Sequence, residues 1–186
     1  MEHLFDGGVN AKKVTQFVVP SVIMFVFIAL YYLIDALFVS NFISSDALAA
    51  INIVYPIAGL GWGISVMLAS GASSIVAIKL GEGDEQEACE KFSQMCIVSV
   101  VLGIAAAVLG LVFLDNLLEH LGATELLWQY CRDYAWIIIL SLPSAFVGVL
   151  LEYFIRVDGR PGFTLFLYVS GGLVHIVLDF VFIVLL

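Results

Sequence analysis

Two carboxylates in this sequence lie where a charge is expensive. Asp35 falls inside the apolar run VTQFVVPSVIMFVFIALYYLIDALFVS (14–40), and Asp179 inside FTLFLYVSGGLVHIVLDFVFIVLL (163–186). An acid near the centre of a membrane helix costs about 2.5–3.5 kcal/mol to insert, so a chain that keeps two is expected to use them. Each has a polar neighbour four residues earlier, Tyr31 before Asp35 and His175 before Asp179. That spacing puts each pair on one helix face. A tyrosine hydroxyl donates to a carboxylate, and an imidazole donates, accepts or holds a proton near neutral pH. The chemistry this set suits is reversible capture of a proton or a small cation. Taken singly, Tyr31 also fits aromatic packing and His175 a structural hydrogen bond, while each acid alone fits a snorkelling residue near an interface.

The elements that would position these groups follow from composition. Hydrophobic residues make up 62% of the 186 and charged residues 12%, against roughly 45–50% and 25% in soluble domains. About 20 apolar residues cross a bilayer. On that criterion the fold class is an all-α polytopic membrane protein with five transmembrane helices, at about 14–40, 47–80, 92–114, 126–155 and 163–186, after a short polar lead at 1–13. The net charge of −9 does not indicate a soluble acidic surface, because most acids fall in the connections. The lead opens MEHLFDGGVN, acidic where a signal peptide is basic.

Orientation comes from the basic residues. Lys12, Lys13, Lys79, Lys91, Arg156 and Arg160 fall on one side of an alternating five-span topology, and only Arg132 on the other. Basic residues stay in the cytoplasm, which places the N-terminus there and the C-terminus outside. Depth then becomes countable. Asp35 lies 22 residues past Lys13 and Asp179 lies 19 past Arg160. At 1.5 Å per residue these are roughly 33 and 29 Å from the cytoplasmic ends. Both acids are therefore expected at similar height in the outer half of the membrane, on helices running the same way. Two neighbouring carboxylates in low dielectric do not readily both ionise, so a proton stays or a cation is captured. This is the arrangement of a proton- or sodium-coupled transporter.

Other features carry less. Pro56 and Pro143 read as packing kinks, whereas Pro20, 15 residues before Asp35, could let the first span bend when Asp35 changes charge. The small residues from Gly59 to Ser74 favour close helix approach in lipid. GEGDEQEACEK (81–91) ends one helix on glycine and starts the next on acids, and Gly81-Glu82-Gly83 is a helix-ending turn and not a nucleotide loop. Cys89, Cys96 and Cys131 form no CxxC pair and no zinc spacing, so they read as small apolar residues. No nucleophile–base set or phosphate loop points to an enzyme, to a bound cofactor or to nucleic acid. The one metal ion the acids suggest is Na+, at Asp35 and Asp179.

Several motifs in order resemble one family: Pro20, YYLIDALFVSNFISSDALAAINIVYPI (31–57), KLGEGD (79–84), FIRVDGRP (154–161) and GGLVHIVLDFVFI (171–183). Over essentially the whole chain the sequence resembles the multidrug and toxic compound extrusion (MATE) family, in its bacterial drug-efflux branch. The resemblance implies the first five helices of a six-helix N-terminal lobe. It further implies a secondary antiporter exporting cationic organic compounds in exchange for H+ or Na+, in the bacterial inner membrane. Asp35 and Asp179 would be the cation-site acids, Tyr31 a cavity residue and Pro20 the bend point of the first helix. The family usually carries asparagine where His175 stands, which favours proton over sodium coupling. Helices six to twelve, or a partner chain, would be needed for transport, and FVFIVLL at the end suggests truncation. A non-transporting remnant or subunit, and a relative of lipid-linked sugar flippases, are the alternative readings. The scarcity of intramembrane basic residues argues against the flippase.

Overall fold

A computed structural model describes residues 11–185. Residues 1–10 of the polar lead, and Leu186 of the fifth span, lie outside the described residues. Long runs of Leu, Ile, Val and Phe set up five long helices: α1 (Ala11–Phe38), α2 (Ser45–Gly81), α3 (Glu85–Val112), α5 (Trp128–Val157) and α6 (Pro161–Asp179), with a short α4 (Leu114–His120) between α3 and α5. No strand occurs among the described residues. The five long helices are each apolar and long enough to cross a bilayer, α6 with the residues that continue it. Large apolar side chains such as Leu60, Met67, Ile97 and Phe166 stand exposed along them, as lipid-facing residues do. Hydroxyls turn back on their own helices, as Ser65 Oγ does to the Gly61 carbonyl at 2.8 Å and Ser170 Oγ to that of Phe166 at 2.8 Å. Bonds of this kind are what a solvent without water requires.

Three connections close by one device. Gly83, Gly122 and Gly159 have φ of 80°, 85° and 78°, a left-handed conformation that favours glycine. After α2, the Asp84 N–H reaches back to the Lys79 carbonyl and the Gly83 N–H to that of Leu80, both at 3.1 Å. This double closure satisfies carbonyls that the helix end would leave open. The same pair of bonds recurs at Gly122–Ala123. Asp84 then accepts from the Glu87 N–H at 2.9 Å and caps α3, while Glu85 and Glu87 fill its first turn. Lys79 bridges the corner to Glu82 and Glu87, both at 3.0 Å. The cap starts α3 at Glu85, seven residues ahead of the apolar run expected from Phe92. Asp84→Ala should cost about 1 kcal/mol, the usual loss for an N-cap, read as a lower unfolding temperature in detergent.

The chain divides into two compact units. One comprises Asp46–Phe154; the other comprises the described residues up to Ser45 and those from Ile155 onward. In the first, Ala107 of α3, Leu114 and Leu118 of α4 and Cys131, Ala135, Ile139 and Phe146 of α5 share a core with Ala50 and Val54 of α2. A second cluster joins Ala69, Ala72 and Val76 to Ala88, Leu150 and Phe154, and the Phe92 and Phe154 rings meet edge to face at 4.8 Å. Between the expected spans 92–114 and 126–155 runs the short α4, whose Leu114 and Leu118 are buried. The other unit is built from α1 and α6 and carries the residues of interest.

Candidate functional site

In the α1–α6 unit, Gly172 sets how closely the helices approach. A methyl group there would stand 2.7 Å from Phe27 Cε1, so the phenyl ring lies against bare α6 backbone. One turn further along, Tyr31 and His175 face each other with ring centres 5.1 Å apart and planes at 76°, an edge-to-face contact. Tyr31 also packs on Tyr32 at 4.6 Å. One more turn on stand Asp35 and Asp179. Ligand atoms of Asp35, His175 and Asp179 all lie within 4.8 Å of one another. The four residues singled out for chemistry thus come from two helices to one place. Pro20 does not join them: α1 runs through it as helix, 15 residues earlier, about 22 Å along the axis.

His175 Nδ1 lies 2.9 Å from Asp179 Oδ2, with the histidine side chain 45% exposed and the aspartate 13%. This is ion-pair distance when the ring is protonated. No well-directed hydrogen bond closes, however, and Oδ2 is buried without a hydrogen-bond partner. A buried acceptor left open costs about 1–3 kcal/mol, more when charged. With both acids ionised, two negative charges would share a few ångströms of low-dielectric interior. At 4 Å and an effective dielectric of 20, each unit-charge interaction is about 4 kcal/mol. A proton or cation placed among the three groups relieves the repulsion and fills the open acceptor.

One feature at the site has no signal in the sequence. Four residues after Asp35, α1 passes into a π-helical turn at Val39–Ile43, and directly after Asp179, α6 does the same at Phe180–Leu185. The two turns lie beside each other. A π turn shifts carbonyl bonding from i+4 to i+5 and is frequent at functional sites. Both follow an acid and contain phenylalanine, but neither holds proline or a glycine pair that would mark it.

Five apolar helices of this length and an acid pair inside them define a multi-pass helical membrane protein with an intramembrane polar site. A family model, MatE, matches residues 20–181, and the chain belongs to the MATE family. The multidrug export protein MepA of Staphylococcus haemolyticus is 26% identical over 175 residues, which is 94% of this chain and 39% of the relative. A MOP superfamily transporter from Pyrococcus furiosus superposes with a TM-score of 0.86 at 24% identity, over 98% of this chain and 40% of that one. An outward-facing multidrug resistance MATE family transporter superposes with 0.84 at 24% identity, over 93% and 38%. The solved structures agree with the fold, an all-helical MATE lobe. The chain spans about two fifths of the length of these relatives.

Proposed function

We propose that this chain forms one lobe of a cation-coupled efflux antiporter that exports organic cations. It would sit in a bacterial inner membrane with the N-terminus in the cytoplasm, as the basic residues indicate. The observation that carries the reading is the convergence of Asp35, His175 and Asp179 within 4.8 Å inside apolar helices. Two acids and an imidazole take up and release a cation, and a helix pair that closes over a neutralised site opens when the site is charged. The name of one relative, multidrug export protein, supports drug export, and the cationic character of the substrate is what the family resemblance implies. Transport needs a second set of helices, from a longer chain or a partner, to complete a cavity. Because His175 can itself carry the proton, coupling is to H+ in preference to Na+.

The test is efflux of a fluorescent organic cation from vesicles holding the intact transporter, under an imposed proton gradient and separately under a sodium gradient. Proton-driven efflux is expected and sodium-driven efflux is not. Equal loss of dye from vesicles with and without the protein, under either gradient, would remove the transport reading in favour of a non-transporting module.

A further inference from the structure

We propose that Asp35, His175 and Asp179 also form a binding site for a divalent transition-metal ion of the zinc class, which takes the place of the coupling cation. The proposal rests on reading this cluster as a cation site but not on any transport activity. Among the described residues this is the one group of three His, Cys, Asp or Glu side chains whose ligand atoms lie within 4.8 Å of one another. The donor set decides the class. Alkali and alkaline-earth ions take oxygen, whereas one imidazole nitrogen with two carboxylates suits zinc, cobalt or nickel. Two ionised carboxylates also balance the ion's double charge.

Geometry supports the same class. His175 and Asp179 are four residues apart on one helix, the spacing at which a single helix presents two ligands to zinc. Bonds of about 2.0–2.2 Å in a tetrahedral shell put ligand atoms roughly 3.4 Å apart. The His175–Asp179 pair, now 2.9 Å apart, must open by about half an ångström, and the widest separation must close by somewhat over one. Side-chain rotation supplies both. Tyr31 packs edge-on against the His175 ring and restricts its tilt. Asp179 Oδ2, buried and without a hydrogen-bond partner, is an acceptor waiting for a positive ligand. The ring of His175 is not enclosed by the described residues, which leaves room for the water that would complete a four-coordinate shell.

The experiment is titration of the intact protein, purified in detergent, with Co2+, followed by the visible absorption of tetrahedral cobalt and its displacement by Zn2+. The wild type is expected to develop the band, with excess Mg2+ and Na+ leaving it in place. His175→Asn, which keeps a polar side chain of similar size, should weaken binding at least 100-fold, since loss of even an outer-shell partner costs roughly 10–100-fold. Asp35→Asn should do the same from the other helix, which guards against one variant failing for a local reason. Monodisperse elution of each variant confirms that it is folded. Cobalt binding equally tight in wild type and His175→Asn, or absent from both, would overturn the proposal. A protein that pumps dye but shows no His175-dependent cobalt band overturns this inference alone, and one that binds cobalt here but moves no dye overturns only the transport reading.

Discussion

Asp35→Asn and Asp179→Asn are each expected to reduce proton-driven efflux to the level of vesicles without the protein, while membrane insertion is unchanged or improved. Asparagine keeps the size and one acceptor oxygen of the acid and removes its charge. At about 4 Å and an effective dielectric of 20, that charge attracts a cation with about 4 kcal/mol, which is roughly a thousandfold in affinity. The same substitution lowers the insertion penalty of about 2.5–3.5 kcal/mol that the charge carries, so insertion should not suffer. Because each single variant already falls to background, the double variant should sit at the same level. Dye efflux measured beside membrane abundance for the three variants decides it. Full efflux by both single variants would show that these acids do not bind the coupling ion.

The acids were legible in the sequence because of where they stand. A charged group inside an apolar run is conspicuous, and counting from flanking basic residues put Asp35 and Asp179 at one depth before any packing was known. Their partners were legible too, because a four-residue spacing fixes a helix face. Sequence did not specify which faces meet. The approach of α1 to α6 rests on Phe27 lying against Gly172, residues 145 positions apart in a chain where glycines are numerous. The π turns after each acid were not legible either, since no proline or glycine marks them. Likewise, the joining of α1 to α6 as one unit depends on contacts that no local pattern records. The start of α3 on Glu85 agrees with the acids of 81–91 read as a helix start, while the apolar span counted from Phe92 covers only the later part of that helix.

Gly103→Ala is expected to destabilise the Asp46–Phe154 unit by about 1–3 kcal/mol, the usual range for overpacking a filled interior. A methyl group on Gly103 would stand 2.7 Å from Pro143 Cα, 3.3 Å from Phe146 Cβ and 3.4 Å from Pro143 N. The nearest atom is helix backbone and has no rotamer to escape into, so α3 and α5 must move apart. Proline matters here as well: with no N–H to donate, Pro143 presents a smooth backbone face to the glycine. In lipid, where apolar side chains gain nothing by leaving the solvent, such close backbone contact is a main source of helix association. Separation would loosen Ala107, Ile139 and Phe146 from the shared core together. Gly63→Ala is the matched control. Nothing lies within 4 Å of a methyl group at that position, and replacing a helical glycine by alanine is worth roughly 0.5–1 kcal/mol in the stabilising direction. The two variants should therefore shift the unfolding temperature in detergent in opposite directions, and a shift in the same direction would mean that α3 and α5 do not meet at Gly103 and Pro143.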